Sequence, residues 1–213
     1  NGDPKINGLF DLRMGPIEQN VICKSCEQNY ITCPGHFGHI ELPKPVFNLQ
    51  FESEIIKIIK CICIKCSRLL VNKNDKIIKN IINNTHNNKD RFEKILKLVQ
   101  KKAIICGSVD KKNETLYDNG GCGAIQPNKY DSKEFRLNYE IIAEWKDDNQ
   151  DIPVNITQKL NAEIILSIFK RITEEDAFAI GFSPKWCMPS WLIVTMLPVV
   201  PPSVRPSVRQ YNS

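Results

Sequence analysis

Four side chains within fourteen consecutive residues have the types and spacing of a metal knuckle: Cys23-x2-Cys26-x6-Cys33-x2-His36. A thiolate pair separated by two residues wraps one side of a tetrahedral ion, and a Cys/His pair with the same separation wraps the other. Zinc is the ion that takes such a set, and four protein ligands leave no position for water or substrate, so the chemistry expected here is structural. His39, three residues beyond His36, offers a competing imidazole, although a surface or hydrogen-bonding role suits it better. His86 lies in a polar stretch and is expected to be solvated.

A second set follows. Cys63-x2-Cys66 is another thiolate pair, and Cys106 and Cys122 lie further on, the latter in a tight Gly120-Gly121-Cys122-Gly123 turn. Together they form a four-cysteine zinc site that staples the ends of the long intervening segment. Cys61 competes with Cys63, but two intervening residues let both sulfurs of Cys63 and Cys66 reach one ion, whereas Cys61 sits further from Cys66. Cys187 has no ligand neighbour and reads as a small buried or half-buried thiol. With a dication, the first set carries a formal charge of about −1 and the second about −2, and on the order of 10–16 kcal/mol of zinc binding can flow into folding at such sites.

The cysteine count sets the class of protein. Nine cysteines is an odd number, and no apolar signal stretch precedes the first of them. Paired thiols beside a histidine then read as metal ligands in a reducing compartment, not as a secreted disulfide framework. The 213 residues contain no run of about 18 apolar residues, so no membrane span is expected. The sequence opens at Asn1 and closes after a proline-rich run, which reads as a piece of a longer polypeptide. Net charge is +5, unevenly spread: residues 57–112 hold fifteen Lys/Arg against four Asp/Glu. That basic middle is either a contact for a polyanion or a lysine-rich solvated face, and its Asn/Ile/Lys bias is also what AT-rich coding produces.

The elements that position these ligands follow from periodicity. Residues 1–22 read as loop. Residues 40–47 alternate but carry Pro43 and Pro45, which makes them an edge strand at best. Ile55, Ile56, Ile58, Ile59 and Ile62 predict a helix over 52–62 that delivers the second cysteine pair. Residues 72–90 read as a loose insertion or short helix, 91–105 as a helix, and 106–128 as irregular. A strand is expected over 135–145, with Phe135, Leu137, Tyr139 and Ile141 on one face. An amphipathic helix is expected over 156–172. A short helix capped by Thr173 should run to Gly181. Residues 191–197 read as a buried apolar strand, and the prolines after 198 as extended chain.

Taken together the motifs resemble one family. The run from Cys33 to Phe47 (Cys33-Pro34-Gly35-His36-Phe37-Gly38-His39 and onward) is similar to the N-terminal zinc motif of the largest subunit of multisubunit DNA-dependent RNA polymerases, closest to eukaryotic RNA polymerase II. Residues 8–15 (Gly8-Leu9-Phe10-Asp11-Leu12-Arg13-Met14-Gly15), 63–70, 120–127, 168–172, 191–198 and 201–206 resemble further family segments in family order. The resemblance implies an α+β, irregular, zinc-stapled clamp. Residues 1–55 would be N-terminal clamp core with the first knuckle, 56–140 the clamp head with the second site, and 141–213 returning clamp core. It implies a part that closes over DNA and the RNA–DNA hybrid to keep transcription processive. The expected zinc ligands are Cys23, Cys26, Cys33 and His36, then Cys63, Cys66, Cys106 and Cys122; no catalytic residue is expected, and no nucleic-acid contact is assigned. The parent enzyme's catalytic magnesium would sit on an Asn-Ala-Asp-Phe-Asp-Gly-Asp motif that these residues lack, so this segment alone would be inactive. Implied partners are the other polymerase subunits, including the second-largest, template DNA, the hybrid and transcription factors, with no membrane. Residues 77–112 depart from the family pattern, and the composition bias points to a large DNA virus or a protist. The location would be the nucleus if cellular, and the virion or the host cytoplasm or nucleus if viral. A stand-alone zinc-binding interaction module is the alternative, but it would require interleaved ligand pairs at short regular spacing.

Overall fold

A computed structural model of the chain describes residues 4–102, 105–110, 113–116, 121–135, 138–147 and 154–206. The fold is mixed helix and strand. It divides into two compact units, Asn1–Pro43 with Thr195–Ser213, and Lys44–Val194.

In the first unit, residues 4–37 run through turns and loops. Strand β1 (Gly38–Phe47) begins there and pairs with β7 (Ile193–Val199) in a two-stranded sheet; the unit boundaries fall within both strands. Each of these strands is an edge, which is why β1 accommodates Pro43 and Pro45. The expectation of a buried strand over 191–197 needs correction. Residues Pro189–Leu192 form a 3₁₀ turn, and within 191–197 only Leu192 and Ile193 are buried. Trp191, Met196 and Leu197 are 60%, 54% and 44% exposed, because a strand with a single partner in a two-stranded sheet has no second layer forced on it by its pairing.

The second unit holds the main core. Helix α1 (Glu52–Cys61) follows a 3₁₀ turn capped by Asn48 and buries Ile55, Ile58 and Ile59 on one stripe. The polar stretch after the second cysteine pair contains α2 (Lys76–Asn84), capped by Asp75, whose side chain accepts from the Ile77 amide. Helix α3 (Asn88–Lys102) buries Arg91, Ile95 and Val99 at i, i+4, i+8 and turns Lys94, Lys97 and Lys101 outward. The region expected to be irregular carries an antiparallel pair, β2 (Ser108–Asp110) with β3 (Asn113–Leu116). Leu137 and Gly120 lie outside the described residues.

A three-stranded antiparallel sheet follows in the order β4 (Lys129–Phe135), β5 (Asn138–Asp147), β6 (Val154–Leu160). Strand β4 has no legible alternation of apolar residues, and it escapes the periodicity reading. The helix expected over 156–172 is also corrected. Its first part is β6, and α4 (Ala162–Lys170) begins only after Asn161, whose side chain accepts from the Ile164 amide. Ile156 and Leu160 are four apart, a spacing that fits one helix face or alternate positions of a strand. Pairing with β5 decides it: Leu160 sits opposite Ile141 and Ile156 opposite Trp145. Helix α5 (Glu174–Ile180) starts at Thr173, which accepts from the Asp176 amide, and stops at Gly181 with φ at +116°. Ile141, Leu160, Ile165, Phe169 and Ile180 join Ile58 and Ile95 in one buried cluster.

Candidate metal centres

The first centre is built in the first unit from two turns braced by residues 8–15. Asp11, buried, accepts from the amides of Asn7 (2.6 Å) and Arg13 (2.9 Å) and from the Arg13 guanidinium (Nη2 at 2.6 Å). Arg13, donating to it, holds the Asp11 carboxyl well below the usual carboxylate range. The carbonyls of this loop then reach both ligand pairs. Leu12 accepts from the Lys24 amide at 3.1 Å and Met14 accepts from the His36 amide at 2.9 Å. Within the same unit Pro201 and Ser203 lie against Gly35, and Arg205 donates to the carbonyls of Leu9 and Val200 while its guanidinium stacks on Phe10.

These braces bring Cys23, Cys26, Cys33 and His36 together, with all four ligand atoms within 4.8 Å of one another. The Cys26 and Cys33 sulfurs are 3.6 Å apart, and Cys33 Sγ is 3.7 Å from His36 Nε2. Ligands at ~2.3 Å (sulfur) and ~2.0 Å (nitrogen) on tetrahedral zinc stand about 3.5–3.8 Å apart, so the separations fit that ion. A disulfide would need about 2.05 Å. Burial pushes the Cys23 thiol up, but the amides of Cys26 and Ser25 and the neighbouring thiols outweigh it and its pKa is lowered. Burial drives Cys33 the other way, upward.

The second centre lies in the second unit, between a short turn and a longer segment that includes β2 and β3, each closed by an isolated antiparallel bridge. One is Ile62 with Leu69, the other Ile105 with Ile125. In the first turn the Cys63 amide donates to the Arg68 carbonyl (2.8 Å) and the Ser67 amide to the Cys63 carbonyl (2.8 Å). In the second, the Cys106 amide donates to Ala124 (2.9 Å) and the Gly123 amide to Cys106 (3.1 Å). The second bridge is what makes neighbours of Cys106 and Cys122. Backbone meets backbone there: a Cβ on Gly121 would fall 2.4 Å from Gly107 Cα. Cys63, Cys66, Cys106 and Cys122 form the cluster, their sulfurs within 4.8 Å of one another, with Cys63 to Cys122 at 3.5 Å and Cys66 to Cys106 at 3.6 Å. Cys106, hydrogen-bonded to Cys63, helps bring the Cys63 pKa down to about 4, while Cys106 itself is pushed far up. One site thus favours a thiolate even before an ion supplies charge.

Cys61 stands outside the cluster. It is fully buried, and burial alone pushes its thiol up to about 12, the behaviour of a small apolar core residue. Cys187 is half-buried and outside both clusters, and His39 and His86 are exposed. None of the nine cysteines is joined in a disulfide. Two supporting residues were not singled out by ligand spacing: Asp11 and Gln126. Both fall inside stretches whose family resemblance was noted, and Gln126 is only four residues past Cys122. Each centre could hold a metal ion, and the donor sets are compatible with zinc. Among the described residues, no helix is long and apolar enough to cross a membrane.

A thiol-rich pair of knuckles in a mixed α+β chain defines a class, and comparison with known proteins shows which. The family model described as RNA polymerase Rpb1, domain 1, matches residues 1–213. The chain belongs to the family of RNA polymerase largest subunits and corresponds to their N-terminal region. More particularly, it is similar to DNA-directed RNA polymerase II subunit RPB1 of Euplotoides octocarinatus, with 39% identity over 210 residues. That match covers 98% of this chain and 42% of the relative, so the chain spans less than half of that protein's length.

Proposed function

We propose that this chain is the clamp portion of the largest subunit of a DNA-directed RNA polymerase, held in shape by two structural zinc ions. The observation that carries the reading is the family match over the full length, together with eight ligands gathered at tetrahedral spacing. Each set is complete with four protein ligands, so neither ion would retain an open position for chemistry. In this reading the ions hold turns together, with clamp core at the ends (1–55 and 141–213) and clamp head between them (56–140); the two ends of the chain do share a compact unit, although it takes in only 1–43 and 195–213. Lys76, Lys79, Lys89, Lys94, Lys97 and Lys101 are exposed on α2 and α3, which supports a salt-sensitive contact to phosphate backbone without base reading. The clamp would close over template DNA and the RNA–DNA hybrid and favour processive transcription. Its partners would be the second-largest and other subunits and transcription factors, and the similarity to a polymerase II subunit favours the nucleus. The reaction itself, with its magnesium, would belong to residues outside this chain, and the 213 residues alone would be inactive.

The test is metal analysis of the purified chain combined with affinity purification of the tagged protein from its source cells. We expect two zinc ions per chain and recovery of the other polymerase subunits. Zero zinc would overturn the metal reading, and zinc without polymerase subunits would overturn the clamp reading.

A further inference from the structure

Gln126 is 4% exposed, and its side chain makes three contacts that engage its oxygen and both of its N–H donors. Oε1 accepts from the Ile64 amide at 3.1 Å. Nε2 donates to the Ala124 carbonyl at 2.8 Å and to Cys63 Sγ at 3.3 Å. The orientation of the amide is dictated by its neighbours. Turned over, it would set its oxygen against the Ala124 carbonyl and its NH₂ group against the Ile64 N–H, two repulsive pairs in place of two bonds. One N–H therefore has to face the Cys63 sulfur.

That sulfur has particular need of a donor. Cys63 is fully buried, so water cannot solvate a thiolate there, and four thiolates around a dication leave about −2 of formal charge to be spread. The Cys66 amide also donates to it at 3.5 Å, so the Gln126 contact at 3.3 Å adds a side-chain donor to a backbone one. At the first centre the sulfurs of Cys23 and Cys33 accept from the backbone amides of Ser25 and Gly35, both at 3.4 Å, and the imidazole carries no charge to be offset. Gln126 also spans the centre: it joins the turn of Cys63 and Cys66, through Ile64, to the turn of Cys106 and Cys122, through Ala124.

We propose that Gln126 is the positioning residue of the second metal centre, an N–H···S donor that fixes the Cys63 thiolate toward the ion and disperses its charge. The inference rests on the zinc reading given above. Residues that orient and polarise metal ligands in this way change affinity by about 10- to 100-fold when removed.

The experiment uses the full chain with Gln126→Met, which keeps length and loses the donor, and Gln126→Glu, which keeps the acceptor for Ile64 but carries no N–H. Metal affinity is read by chelator competition, and the sulfur by the thiolate-to-metal charge-transfer band of the cobalt(II)-loaded protein, with Cys66→Ser supplying the spectrum of the first centre alone. We expect affinity for the second ion to fall about 10- to 100-fold, its band to move to lower energy, and the first centre to keep its affinity. A third measurement needs no variant. In the unmodified protein loaded with cadmium-113, a Gln126 side-chain proton should show scalar coupling to one metal nucleus. If the unmodified chain binds two ions yet the variants match it in affinity and band, the inference is overturned. Loss of affinity with an unmoved band, or absence of the cadmium coupling, overturns it as well, because Gln126 would then be a brace between turns and no donor to sulfur. Fewer than two ions on the unmodified chain would instead overturn the zinc reading beneath it.

Discussion

Gly121→Ala should weaken the second centre's hold on its ion while sparing the first. A Cβ built on Gly121 falls 2.4 Å from Gly107 Cα and 2.6 Å from both Gly107 N and Cys106 O. Ordinary carbon contacts lie at about 3.5–4.0 Å, so the backbone at Gly107 and the backbone at Gly121 would have to part by roughly 1 Å. The obstacle is backbone, which cannot rotate aside as a side chain can. Metal–ligand distances tolerate only about ±0.2 Å, and the residues next to this contact are Cys106 and Cys122 themselves. Overpacking of this kind costs about 1–3 kcal/mol, and a backbone clash belongs at the upper end. At ~1.4 kcal/mol per factor of ten, metal affinity at the second centre should fall roughly 100-fold. Gly123→Ala is the comparison, since at φ +70° with no atom within 4 Å it meets conformational strain alone. A left-handed non-glycine residue costs about 1–2 kcal/mol, which corresponds to roughly 5- to 30-fold. Chelator competition on the two variants and the unmodified chain, with total metal counted per chain, gives the order. Undiminished affinity in Gly121→Ala, or a larger loss in Gly123→Ala, would refute the claim that the close approach of Gly107 and Gly121 sets the ligand geometry.

Three further outcomes are expected. Cys66→Ser should lower the metal content from two ions to one and raise amide exchange across 63–122 while the first centre stays occupied; unchanged exchange there would break the four-cysteine assignment. Lys73 Nζ lies 2.9 Å from Glu175 and 3.0 Å from Asp176, whose carboxylate is nearly inaccessible. Burial opposes the Lys73 charge but those carboxylates outweigh it and raise its pKa. A raised lysine contributes stability below its unfolded pKa of about 10.4 and loses it as pH climbs through the folded value. Lys73→Met should therefore destabilise by about 1–2 kcal/mol near neutrality, discounted for the exposure of Lys73, and the gap to the unmodified chain should close in denaturant melts above about pH 10.5. Phe169→Ala, at a fully buried position in α4, should cost about 3–5 kcal/mol in urea unfolding without altering metal content at the first centre.

How much of the molecule was readable from residues alone depends on whether the signal is local. The candidate sets were legible in part: Cys23-x2-Cys26, Cys33-x2-His36 and Cys63-x2-Cys66 carry in the chain itself the short spacing a tetrahedral ion demands, whereas Cys106 and Cys122 join their cluster only through the fold. The Thr173 cap and the Gly181 stop of α5 were legible for the same reason, since each acts on amides or carbonyls within one helical turn. The preference for Cys63 over Cys61 could also be argued from reach, and in the structure Cys63 sits in the cluster while Cys61 is buried apart from it.

What the tertiary structure decided are the matters that depend on partners distant in sequence. Ile156 and Leu160 fit helix or strand equally well until Trp145 and Ile141 stand opposite them, and the polar strand β4 exists because β5 supplies its hydrogen bonds. Trp191 to Leu197 is apolar enough for a core, yet β7 pairs only with β1 and leaves most of that run exposed. Gln126 shows the same division: its type and position are ordinary in the sequence, and only the bridge of Ile105 with Ile125 turns its amide onto the Cys63 sulfur sixty-three residues away. Ligand spacing is written along the chain, whereas the donors and backbone contacts that aim those ligands arise only when remote segments meet.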